Sequence, residues 1–138
     1  MKPTGAPAGV TDPKVLTING GSSSIKFALY RVGEPLERGL HGKIDRIGSS
    51  GTKLALNAPN ENKKASLQLD AGDLKSAARF LIDWLEKQTD FHSVRAVGHR
   101  VVHGMQHTAP ELVTAELLKE LHRITPFDPE HLPGEIEL

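Results

Sequence analysis

An α/β fold, with an antiparallel meander inside a mixed sheet and helices packed on it, is what this sequence predicts. Three observations carry that reading. Several short stretches before residue 70 alternate apolar and polar residues, separated by turn residues. At Asp73 the period of the apolar positions changes to that of a helix. A β-branched run, "SVRAVGHRVV" (93–102), then returns to strand character. Strands first, then helix, strand and helix, fit a sheet covered by helices rather than a bundle or a sandwich.

Each element has its own local reason. Val15 to Asn19 is short, apolar and partly β-branched, so it predicts a buried strand. From Ile25 to Tyr30, Ile25, Phe27 and Leu29 alternate with Lys26, Ala28 and Tyr30. Leu36 to Ile44 extends the meander after a turn at Gly33 and Glu34. "TKLALN" (52–57) and "KASLQL" (64–69) alternate again around the turn-like "APNENK". Between Asp73 and Gln88, Leu74, Ala77, Ala78, Leu81, Ile82 and Leu85 form one helical face, widened by Phe80 and Trp84. Asp73 is placed to cap that helix and Lys87 suits its last turn. Residues 93–102 predict a further buried strand. Thr114 is placed to cap a short helix bearing Leu117, Leu118 and Leu121. "TPFDPEHLP" (125–133) has three prolines and reads as a shaped loop. The closing "GEIEL" resembles the first turn of a helix that stops in mid-element.

Bulk properties narrow the function. The chain has 138 residues, enough for one domain with a sizeable core. Seventeen basic side chains balance seventeen acidic ones. No long-range field steers such a chain to nucleic acid or an anionic membrane, so neither is an expected partner. Cysteine is absent, which excludes disulfides, thiolate catalysis and cysteine-bound zinc. Residues 1–14, rich in Pro, Gly and Ala, read as a disordered extension without the apolar run of a signal peptide. A soluble, cytoplasmic protein is the expectation.

The stretch that carries chemistry is "INGGSSSIKF" (18–27), a strand, a turn and another strand. Gly20 and Gly21 allow positive φ, which would gather several backbone N–H groups on one side. Ser22, Ser23 and Ser24 add hydroxyl donors. Phosphate oxygens accept many hydrogen bonds in a small space and suit such a turn. It is neither a P-loop nor a GxGxxG fingerprint. Taken alone, the stretch favours a soluble hairpin turn over a phosphate site. "HRVVH" (99–103) has the spacing of a zinc motif but lacks its glutamate. On a strand its histidines lie roughly 13 Å apart, so a shared metal is rejected in favour of bonds to neighbouring backbone. Phe80 and Trp84 read as helix packing rather than a base-stacking platform.

The flanking residues change the balance. "VLTINGGSSSIKFAL" resembles the N-terminal signature of the acetate kinase family, Asn-x-Gly-Ser-Ser-Ser-x-Lys. "AVGHRVVHG" (96–104) is similar to the family's second signature and stands in the right order. The resemblance is close at 15–30 and 94–105, looser at 106–134. It implies the sugar kinase, heat-shock 70 and actin superfamily, and so a ribonuclease-H-like (actin-like ATPase) domain. Residues 15–138 would be its incomplete, truncated first domain. It also implies a phosphotransferase that converts ATP and acetate reversibly to ADP and acetyl phosphate, with Mg2+. By matching position, Asn19 would lie at the metal, and Ser22 and Ser24 at the phosphates. Lys26 completes the signature as a further cofactor-binding candidate, a solvated strand lysine being the alternative. Arg100 would bind the carboxylate or acyl phosphate and stabilise charge in the transition state. Val102 would line the pocket for the acetate methyl.

Departures from the family pattern refine these expectations. Where the family reads Gly-Gly after "HRVVH", this chain has Gly104 and Met105. Phe127 stands at a leucine position of the substrate pocket and Asp128 at a histidine, so Phe127 would favour acetate over longer acids. The family's catalytic aspartate and adenosine loops have no counterpart here. The chain resembles the first part of such a kinase and is expected to be inactive alone. The full-length family member would be a homodimer, and this chain a monomer. Two alternatives stand beside acetate kinase: a propionate or butyrate kinase, and a non-catalytic anion-binding or interaction module on the same fold.

Overall fold

The computed structural model describes residues 12–88, 91–101 and 104–127, together with residues 133, 136 and 138. Of Asn60 and Phe127 only the backbone is described. Residues 1–11 of the expected disordered extension lie outside this set, as does most of the expected helical turn at the end. Among the described residues six strands and two helices follow in order. They are β1 (Lys14–Gly20), β2 (Ile25–Arg31), β3 (Glu37–Asp45), β4 (Lys53–Ala58), β5 (Lys63–Gln68), α1 (Leu74–Glu86), β6 (Val94–His99) and α2 (Ala115–Ile124).

The sheet order is β5-β4-β3-β2-β1-β6. The first five strands form an antiparallel meander, and β6 returns through α1 to lie parallel to β1. That return is what makes the sheet mixed, since a parallel pair needs a crossover connection. Leu16, Ile18, Ile25, Phe27, Leu29, Ile44 and Leu54 pack with Ala77, Leu81 and Leu85 of α1 in one core. Trp84 meets Phe27 edge-on, with ring centroids 6.3 Å apart, and Phe80 packs against the same core, so Phe80 and Trp84 are packing residues as expected.

Both predicted caps are present. Asp73 Oδ1 accepts from the Ser76 amide at 2.8 Å, and the Ser76 hydroxyl first, then this amide, hold the Asp73 carboxyl below its usual pKa. Thr114 Oγ1 accepts from the Leu117 amide at 3.0 Å. After α2, Thr125–Phe127 makes one 3-10 turn where a loop was expected. Ring-fixed φ at Pro126 is compatible with such a first turn. A small second cluster joins Leu121 and Ile124 to Leu117 and Ile136.

The largest correction concerns β6. It is an edge strand with Arg95 to Gly98 exposed, not a buried one, and it ends at His99 rather than at residue 102. β1 covers one of its edges, while α1 packs over the middle of the sheet. Val97 is therefore 57% exposed.

Candidate active site at the serine turn

The C-terminal ends of β1 and β6 lie side by side, and the chemistry-bearing residues gather there. β1 pairs with β6 up to Ile18 and His99, and the ladder continues one step further. The Arg100 amide donates to the Ile18 carbonyl at 3.1 Å. Arg100 is thereby tied beside Asn19, the last polar residue before the turn. Asn19 pairs in turn with Lys26 across the β1–β2 hairpin. Alternation puts Asn19 and Lys26 on the sheet face opposite Ile18 and Phe27, and so opposite α1. Ser22 and Ser23 are exposed at the tip, with Ser24 half-buried.

The turn differs from its expectation in one respect. Neither Gly20 nor Gly21 has positive φ; among the described glycines Gly48 and Gly51 do. The space beside the first two is taken by the ends of flexible side chains, which a Cβ would displace at small cost. A Cβ on Gly20 would stand 2.3 Å from Leu138 Cδ1, and one on Gly21 would stand 2.9 Å from Ser24 Oγ. The Gly21 amide is also turned inward, donating to the Ser24 carbonyl at 2.8 Å. The outward donors are therefore serine groups. Among the described residues the three serine hydroxyls have no hydrogen-bond partner, a state that suits a polyanion arriving from solvent.

The hairpin and Arg100 are thus brought together. Val102 lies outside the described residues, as do His103 and Asp128. Phe127 closes the 3-10 turn after α2, but its side chain is outside the description. His99 corrects another expectation: its Nε2 is buried and, among the described residues, has no hydrogen-bond partner. Among those residues no cluster of three metal-ligating side chains occurs. The donors at the turn fit phosphate oxygens. Asn19 offers a single amide oxygen, which suits Mg2+ held mainly by phosphate and water.

His107 is a junction that no local sequence pattern marks. Its Nδ1 pairs with Glu111 and its Nε2 lies 3.1 Å from Glu120 Oε2. The second contact is an ion pair whose angle falls outside that of a hydrogen bond. The bond to Glu111 raises the His107 pKa, helped by the charge of Glu120. Neighbouring Met105 sits at φ 55°, the left-handed region that glycine favours. Met105→Gly is therefore expected to raise stability by about 0.5–1 kcal/mol, after allowing for the greater freedom of glycine in the unfolded chain. Urea unfolding measures it, and a loss of stability would contradict the strain.

The mixed sheet with β1 and β6 parallel at its edge defines an actin-like ATPase domain. The Acetokinase family model matches residues 14–138, and the chain belongs to that family. It is 36% identical over 133 residues to an acetate kinase of Methylocella silvestris, covering 88% of this chain and 33% of that protein. It is 37% identical over 122 residues to one of Deinococcus radiodurans, covering 88% and 30% respectively. Among solved structures, a Francisella tularensis propionate kinase matches with a TM-score of 0.77 at 30% identity. That match covers 91% of this chain and 32% of the kinase. A Porphyromonas gingivalis acetate kinase matches at 0.78 and 28%, with the same coverage. The chain thus spans about a third of the length of these relatives.

Proposed function

We propose that this chain carries the phosphate- and carboxylate-binding part of a short-chain carboxylate kinase, one that moves the γ-phosphoryl group of ATP reversibly onto acetate. The observation that carries this reading is the Arg100 amide bonded to the Ile18 carbonyl, which places an exposed arginine beside the end of β1 that leads into the serine turn. A carboxylate oxygen forms a bond to phosphorus while the bond to the ADP oxygen breaks. The products are acetyl phosphate and ADP. Ser22 and Ser24 hold phosphate oxygens, with Lys26 on the adjoining face. Arg100 presents two parallel N–H groups to the acid or to the moving phosphoryl group, orienting the nucleophile and balancing equatorial charge. Asn19 would meet Mg2+, which when bound neutralises phosphate charge. By the family resemblance, Val102 and Phe127 would be the residues that select the acid. A cytoplasmic site of action and a homodimer of the longer protein belong to the same proposal.

A specific observation keeps propionate as a second substrate: the propionate and acetate kinase structures match this chain almost equally. The test is hydroxamate formation from acetate, propionate and butyrate with Mg-ATP. Measured on this chain and on a longer protein that contains it, acetate is expected to be the best acid and the longer protein to turn over. Butyrate used as well as acetate contradicts the assignment of Phe127. Absence of transfer to any of the three acids by the longer protein contradicts the kinase reading.

A further inference from the structure

We infer that the 46–52 turn between β3 and β4 is the positioning element of the serine turn, with Thr52 as the residue that sets it. The inference rests on the phosphate-binding reading of Ser22 to Ser24 and names what holds them in place. Two successive amides of this turn reach in different directions. Ile47 N–H donates to the Ser23 carbonyl at 2.9 Å, and Gly48 N–H donates to the Ala71 carbonyl at 3.1 Å. The tip of the serine turn is thereby strapped to the segment that leads into α1. Ala71 is 4% exposed and stands two residues before the Asp73 cap, so the strap ends on packed structure.

The strap requires an unusual backbone. Arg46 has φ 60°, and Gly48 and Gly51 both have φ 82°. Arginine in the left-handed region is held there by its surroundings, and such strain gathers at functional sites. Here the surroundings are Thr52. Its hydroxyl is buried, and its single proton is shared between the Arg46 carbonyl at 2.8 Å and the Ser49 carbonyl at 3.1 Å. The Thr52 carbonyl accepts from the Leu69 amide at 3.1 Å, anchoring the residue to the strand beyond. Ile47 itself is buried in the core, so its amide is aimed by packing as well. With Ser23 fixed by its carbonyl, the hydroxyls of Ser22 and Ser24 meet a phosphate without first paying to order the loop.

The experiment follows 15N-labelled protein by NMR while inorganic phosphate is added. In the wild type, phosphate is expected to shift the amides of Ser22 to Ser24. Thr52→Val keeps the shape and removes the hydroxyl. It is expected to weaken phosphate about tenfold or more, and Thr52→Ser to restore it. Leu121→Ala, in the separate α2 cluster, should lower stability without changing phosphate affinity. Folded Thr52→Val with wild-type affinity overturns the inference and leaves the phosphate reading intact. A wild type whose serine amides do not respond overturns both. Should Thr52→Val fail to fold, hydrogen exchange in the wild type decides. The Ile47 amide is expected to be protected, and more so with saturating phosphate; protection unchanged by phosphate overturns the strap.

Discussion

Arg100→Ala is expected to weaken acetyl phosphate binding by about 10- to 100-fold, the scale of one lost charge-assisted bond to an anion. Stability should move by less than about 0.5 kcal/mol. The side chain is exposed and, among the described residues, has no ion pair to lose. What it gives the fold is its amide, bonded to the Ile18 carbonyl, and alanine keeps that amide. Arg100→Lys should recover little, because an ammonium cannot offer two parallel N–H groups to one carboxylate or phosphoryl group. Calorimetric titration with acetyl phosphate, beside urea unfolding, separates the two effects. Unaltered affinity, or a stability loss that accounts for the weaker binding, would remove Arg100 from the site.

Gly42→Ala is expected to have the opposite profile, a loss of about 3 kcal/mol or more through overpacking. Gly42 lies on β3 opposite Phe27 of β2 and Leu56 of β4. A Cβ there would stand 2.3 Å from the Ala55 carbonyl oxygen and 2.9 Å from a ring carbon of Phe27. The first of these is backbone and cannot swing aside, so the sheet itself must shift. Because Ile44 and Ile25 pack two residues further along the same strands, the shift would reach the base of the serine turn. Against a typical domain stability of roughly 5–15 kcal/mol, this is a large fraction. Urea unfolding that shows a cost below about 1 kcal/mol would mean that the β2–β3–β4 packing is looser than described.

The meander was legible because each strand carries its own alternation and each break carries turn residues. Helix α1 was legible to its cap, since Asp73 and the 74–85 stripe are local signals. The exposure of β6 was not. "VRAVGH" is apolar enough for a buried strand, but burial is decided by what covers the sheet, and α1 sits nearer its centre. The same limit hid the serine turn's support. Residues 46–52 look like an ordinary loop, and only the fold brings Ile47 to Ser23. Positive φ falls at Gly48 and Gly51 rather than at Gly20 and Gly21, beside which the side chains of Leu138 and Ser24 take the space. His107, Glu111 and Glu120 meet only because α2 folds back beside the preceding loop. The Met105 departure did have a local meaning, since the structure puts a left-handed residue where the family pattern has glycine.

On the proposed function, the serine turn and Arg100 form one anion site. The most direct measurement is a 15N NMR titration of this chain with acetyl phosphate, read at every assigned amide. Ser22, Ser23, Ser24 and Arg100 are expected to shift together along one binding isotherm, while α1 residues Lys75 and Arg79 stay still. Those two line a separate hollow of about 400 Å³ on the outer face of the helix. Shifts confined to that helix face, or serine and arginine amides that titrate with different affinities, would contradict it.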